Sequence, residues 1–211
     1  MAERRPAGNS RGKKGNKKKK NVIIWGIILA VLMGAVIFTT SGYHEQIKQK
    51  LINSQYPLSY SEYVEKSAKK YHVDPALVYA VIRTESNFNP NAQSAAGAHG
   101  LMQITDDTFE HYRNLRDETE TYTMDALYDP EVNIDYGCHI LRDHLDTFQD
   151  ERCAVAAYNA GPGNVEAWLE NPSISPDGKT LDADSIPFEE TRNYVYRVEE
   201  AKEKYAELYE H

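Results

Sequence analysis

The sequence predicts a mainly α-helical domain carried behind a single N-terminal transmembrane helix, and three observations predict it. Residues 22–38 read VIIWGIILAVLMGAVIF, with no charge and no proline. From Pro57 onward apolar residues recur at helical spacing, and Asp-Pro pairs that favour helix starts stand at Asp74-Pro75 and Asp129-Pro130. No segment of useful length alternates polar with apolar residues, so no sheet of any size is expected.

The apolar run comes first. At about 1.5 Å of rise per residue it is near the shortest length that crosses a hydrocarbon core, and Asn21 and Thr39-Thr40 extend it into the interface. Lys17 to Lys20 abut its N-terminal end, whereas the other flank is polar and almost uncharged. The positive-inside bias therefore places residues 1–20 in the cytoplasm as a basic tail, 21–40 in the membrane as an anchor, and the rest outside. A cleaved signal peptide is the rival reading, because Thr40-Ser41-Gly42 offers small residues for cutting. The run is longer than a usual signal core and no cysteine directly follows it to form a lipoprotein site, which favours an uncleaved, single-pass anchor in the cell membrane.

Charge divides the same way. Residues 1–42 hold nine Lys or Arg against Glu3, about +8, so the total of −8 leaves −16 to residues 43–211. So acidic an exported part would repel a phosphate backbone, which excludes nucleic acid as its partner. The two cysteines, Cys138 and Cys153, fall in consecutive helical segments at positions several turns apart in an antiparallel pair. That separation favours two buried thiols over a disulfide. Their spacing matches no zinc site.

The helices follow in order. Residues 41–57 make a polar linker, and residues 58–211 form the domain. Ser59 with Glu62 reads as a capping box for a helix to about His72. Asp74-Pro75 opens a helix through Glu85 or Ser86, Thr105-Asp106 another to about Asn114, and Asp129-Pro130 a long one to Phe148. An alanine-rich helix over 152–159 is halted by Gly161-Pro162-Gly163. A short helix reaches Glu170, a turn-rich loop follows to Ile186, and Phe188 to Tyr209 forms the last helix.

The segment with most chemical content is AVIRTESNFNPNAQSAAGAHGLMQI, residues 80–104. Glu85 stands near the end of a helix whose same face carries Val78, Val81 and Ile82. Apolar surroundings raise a carboxyl pKa and suit it to delivering a proton near neutrality. The glycine-rich loop that follows lets backbone come close to a ligand. A glutamate near a helix end is more often solvated, so periodicity alone does not make Glu85 catalytic.

Longer motifs decide the matter. Glu85-Ser86-x-Phe88-x-Pro90-x-Ala92-x-Ser94, then Gly97-Ala98-x-Gly100-Leu101-Met102-Gln103-Ile104, resembles the first two motifs of the soluble lytic murein transglycosylases. Ala157-Tyr158-Asn159-Ala160-Gly161-Pro162 resembles the third. Ile186-Pro187-Phe188-x-Glu190-Thr191-x-Asn193-Tyr194-Val195 resembles the fourth. The series covers about residues 58–205 in the family's order. The resemblance implies a lysozyme-like helical fold related to goose-type lysozyme. It also implies cleavage of the MurNAc-β-1,4-GlcNAc bond of peptidoglycan glycan strands, with no metal or organic cofactor. Glu85 matches the catalytic acid/base, which would protonate the glycosidic oxygen and then take the proton of the muramic 6-hydroxyl. One carboxylate thus serves twice, unlike the paired carboxylates of most glycosidases. Ser94, Met102, Gln103, Tyr158, Asn159 and Tyr194 match positions that contact the sugars or line the groove. Each also has a plainer reading, such as a loop hydroxyl for Ser94, core filling for Met102 or a helix-end cap for Asn159.

One departure bears on the reaction. The family often has proline soon after Ile104, where this chain has Thr105-Asp106-Asp107-Thr108. A second carboxylate there would favour hydrolysis by water. The alternative is acidic residues in the first turn of a helix, where negative charge is favourable. Three readings follow: a lytic transglycosylase first, a muramidase second, and a non-catalytic peptidoglycan-binding scaffold third.

Overall fold

The computed structural model describes residues 54–116 and 122–209, and before them 25–26, 29–34, 36, 38, 43–44, 46–48 and 50–52. The chain divides into two units, Met1–Gln55 and Tyr56–His211. In the first unit, the described residues up to 52 are helical, and Trp25, Leu29, Val31, Leu32, Met33, Val36 and Phe38 are exposed. Among the described residues no helix is long and apolar enough to cross a membrane. The expected basic tail lies outside the described residues, and the expected span over 21–40 is described only in part.

The second unit is helical throughout its core. Its elements are α1 (Ser61–Tyr71), α2 (Pro75–Ser86), β1 (Ala98–His99), β2 (Ile104–Thr105), α3 (Asp106–Leu115), α4 (Pro130–Phe148), α5 (Glu151–Ala160), α6 (Pro162–Leu169) and α7 (Glu189–Tyr209). Single 3-10 turns at Met124–Tyr128 and Ala183–Ser185 complete it. Helix α2 is the axis of the domain. Ala76 through Ile82 are all buried, because the helix is apolar on every side, and α7 packs along it more extensively than any other helix.

Capping chemistry sets most of the helix starts. The side chains of Asp74 and Asp129 accept from the N–H groups of Ala76 and Glu131, with Pro75 and Pro130 at the first helical position. Asp150 accepts from Cys153 N–H, and Thr105 from Thr108 N–H. The expected capping box at Ser59 does not form. Helix α1 begins after Tyr60, which is left-handed (φ 62°) and makes no side-chain cap. The first turn is satisfied instead by backbone bonds from Tyr63 and Val64 to the Tyr60 carbonyl.

Two further outcomes concern the sheet and the thiols. β1 and β2 pair antiparallel, Ala98 opposite Thr105 and His99 opposite Ile104. Two residues per strand are too few to produce an alternating pattern, so the hairpin left no periodic trace in the sequence. Cys138 in α4 and Cys153 in α5 are free and buried, as their helical positions led us to expect.

Candidate active site

Glu85 lies in the last turn of α2. The helix stops at Asn87, which adopts φ 49° while its N–H closes on the Arg83 carbonyl. Phe88 follows at φ 64°, a left-handed setting that is uncommon for a bulky residue. Its ring packs against Tyr79, 6.2 Å between centroids, and this contact holds the bend. Beside Glu85, the Ser86 hydroxyl donates to the Leu101 carbonyl at 2.7 Å and so ties the helix end to the glycine-rich loop. Burial is the chief reason that the Glu85 pKa rises to about 7. The nearby Glu190 charge adds to the rise, whereas the Tyr194 hydroxyl and the Arg197 guanidinium oppose it.

The loop owes its shape to backbone rather than to apolar contact. Gly100 sits at φ 76°, and a Cβ there would collide with the Leu127 carbonyl and the Asn133 amide. Asn133 is fully buried on α4. Its amide N–H groups donate to the carbonyls of His99 (3.0 Å) and Leu127 (2.9 Å), and its oxygen accepts from Met102 N–H at 2.8 Å. Gly137, one turn further along α4, leaves the space that the Met102 sulfur fills. Met102 is therefore wholly buried, and its side chain belongs to the core rather than to an open wall.

Gln103 is left-handed (φ 49°), and its amide donates to the carbonyls of Ala92 and Gly100 at 3.2 and 2.9 Å. Ser94 turns the start of the loop, its hydroxyl accepting from Ala98 N–H at 3.0 Å. These two residues both brace the loop that they belong to.

The remaining predicted residues come from α5 and α7. Tyr158 donates its hydroxyl to the Met102 carbonyl at 2.9 Å. Burial, then the Glu85 charge, raises its pKa well above that of a free phenol. Asn159 accepts from the Thr191 hydroxyl at 2.7 Å, which locks α5 to α7. Tyr194 is buried, and its hydroxyl has no partner at hydrogen-bonding geometry among the described residues. It nonetheless lies near enough to Glu85 for each group to shift the other's pKa. Glu190, Tyr194 and Arg197 recur at helical spacing on α7, and all three act on Glu85.

The acidic pair after Ile104 separates into two roles. Both residues lie in the first turn of α3. Asp106 stands 3.0 Å from His99 Nε2, and His99 Nδ1 is 2.9 Å from the Tyr128 hydroxyl. Asp107 instead borders a cavity of about 480 Å3, whose wall also includes Gln103 and Tyr158. The supporting residues Asn133, Gly137 and His99 escaped the sequence reading, because each works through a partner distant in the chain and no local motif marks it. Thr191 belongs to the fourth motif, but its bond to Asn159 was not foreseen.

Comparison with known proteins agrees with this architecture. The Transglycosylase SLT domain matches residues 62–180. The chain is 35% identical over 148 residues to a soluble lytic murein transglycosylase of Escherichia coli, covering 70% of this chain and 23% of that protein. It is 32% identical over 162 residues to the membrane-bound lytic murein transglycosylase C of Shigella sonnei, covering 67% of this chain and 45% of the relative. The crystal structure of the 70-kDa soluble lytic transglycosylase of Escherichia coli superposes with a TM-score of 0.68 at 34% identity, over 74% of this chain and 25% of that one. The chain thus spans about a quarter of the length of the soluble relatives it matches.

Proposed function

The chain belongs to the SLT transglycosylase family, and from that premise we propose that it is a lytic transglycosylase of peptidoglycan with Glu85 as its single acid/base. The observation that carries this reading is the partly buried Glu85, held at a pKa of about 7 beside Tyr194. A carboxyl poised there is substantially protonated at neutral pH and still gives up its proton readily.

The reaction needs both states in turn. Protonated Glu85 delivers its proton to the oxygen of the MurNAc-β-1,4-GlcNAc bond as that bond breaks. The carboxylate left behind takes the proton of the muramic 6-hydroxyl, whose oxygen closes on the anomeric carbon. The product carries a 1,6-anhydro ring, no water is consumed, and the enzyme regains its proton. Tyr194 and Arg197 stabilise the carboxylate stage, and Glu190 favours the protonated one. Gln103 and Tyr158 border the substrate groove, and Ser94 and Asn159 complete the sugar-contacting set. Met102 supports the floor from within the core. Asp106 is engaged with His99.

The same reading includes residues 21–40 as a membrane anchor, with residues 1–20 cytoplasmic, 41–57 as a linker and residues 58–211 outside. The uncharged run over 22–38, the lysines before it and the exposed apolar side chains from Trp25 to Phe38 support it. Tethering would hold the acidic domain near the wall without electrostatic attraction. Mass spectrometry of digested peptidoglycan tests the function. Anhydromuramic ends are expected with the full-length protein, and none with Glu85→Gln. Reducing ends would favour hydrolysis, and no cleavage would leave only a binding role. Protease protection of the N-terminal tail in sealed vesicles tests the topology.

A further inference from the structure

The 480 Å3 cavity bordered by Gln103 and Tyr158 lies among α3, α4, the end of α5 and the start of α6. Glu85 does not line it, and the proposed reaction gives most of its wall no role. Its charge is one-sided. Asp107, Asp143 and Glu166 border it, and no lysine or arginine does. Asp143 Oδ2 accepts from the Tyr112 hydroxyl at 2.8 Å, which fixes the carboxylate in place.

His144 is the second, independent observation. It lines the cavity yet is only 7% exposed. Its ring meets Phe148 and Tyr158, each at 6.4 Å between centroids, but it makes no hydrogen bond or ion pair among the described residues. Burial lowers its pKa, against a smaller pull from Asp143, so the imidazole is neutral at physiological pH. A neutral imidazole offers one ring nitrogen as an acceptor. That nitrogen has no partner among the described residues and stays open to the cavity, so an N–H of a ligand can pair with it.

We propose that this cavity is a subsite for a primary ammonium group carried by the glycan substrate, received by His144 and Asp143 with Asp107 and Glu166 at the rim. The inference rests on the reading that the groove holds a peptidoglycan strand. An ammonium brings three N–H donors and a positive charge, which suits a wall of carboxylates with the imidazoles of His111 and His144 beside them. Two parts of such a polymer carry that chemistry: the side-chain amine of a diamino acid in the peptide branch, and a glucosamine that lacks its N-acetyl group. The cavity volume lies within the range of sites that hold small ligands.

Calorimetric titration of the full-length protein carrying Glu85→Gln tests the subsite without turnover. The ligands are a disaccharide-peptide with a free side-chain amine, the same molecule with that amine acetylated, and a peptide-free disaccharide with one unacetylated glucosamine. The free amine is expected to bind at least tenfold tighter than its acetylated twin, about 1.4 kcal/mol. Adding His144→Leu or Asp143→Asn is expected to reduce that preference below threefold. His144→Gln, which keeps an acceptor, should retain more of it than leucine and serves where leucine unfolds the chain. Tight binding of the peptide-free amine assigns the subsite to the sugar, and its absence assigns it to the peptide. Equal affinity for free and acetylated ligands overturns the proposal. Cleavage of walls without amine-selective binding would refute the subsite and spare the enzyme. Selective binding without cleavage would do the reverse, and neither binding nor cleavage would refute both.

Discussion

Met102 N–H donates to the side-chain oxygen of Asn133 at 2.8 Å, so a residue on α4 sets the course of the loop beside the candidate acid. Asn133 holds three backbone groups at once, from His99, Leu127 and Met102. Replacing it with alanine leaves these polar groups buried and unpaired. Asn133→Ala should destabilise the domain by about 3 kcal/mol, counting roughly 1 kcal/mol for each bond. A denaturant titration measures this, and a loss below 1 kcal/mol would show that the loop holds itself.

Gly100 makes a harsher demand. Its positive φ and the two groups facing it leave no space for a methyl. Gly100→Ala should cost more than the 1 kcal/mol of a left-handed alanine alone, because the Asn133 amide must also move. Loss of soluble expression or a large fall in Tm is expected, and an unchanged Tm would contradict the stated packing.

Glu85 links function to pH. Its pKa rises from an ordinary 4.5 to about 7 on folding, so the folded state holds the proton more tightly. Stability from this group is fully present below about pH 4.5 and is lost as pH rises through 7. Glu85→Gln removes the titration. It should therefore be more stable than the parent at pH 8, by on the order of 3 kcal/mol at most, with the difference vanishing near pH 4.5. Thermal melts across that range decide it. Cleavage should fall by at least a thousandfold at every pH.

Tyr194→Phe separates tuning from packing. The hydroxyl is buried without a partner, so its loss should change stability by less than about 1 kcal/mol. The same hydroxyl lowers the Glu85 pKa. Its removal should move the alkaline limb of kcat/KM upward in pH while kcat falls, since the carboxylate stage loses support. A profile that keeps its midpoint would remove Tyr194 from any electrostatic role.

Much of the fold was legible because its signals are local. Asp74-Pro75 and Asp129-Pro130 start helices where an aspartate and a proline are expected to. Tyr60 shows the limit: a left-handed backbone displaced the Ser59 cap, and nothing in the local sequence announces it. The site divides the same way. Glu85 and Tyr194 belong to long motifs, and Met102 does too, though its side chain proved to be internal. Asn133 and Gly137 matter only because α4 passes behind the loop, which is a property of tertiary packing.

The pairing of α2 with α7 has a consequence in time. Glu85 and the residue that tempers it are contributed by the domain's second helix and its last. A nascent chain that has emerged only as far as α6 carries the acid, the loop and Tyr158, but neither Tyr194 nor the Thr191 clasp on Asn159. Domains fold from parts already delivered, and contacts between distant segments form late. The candidate site is therefore finished only by the final helix, and a partly delivered polypeptide lacks the hydroxyl that tempers Glu85.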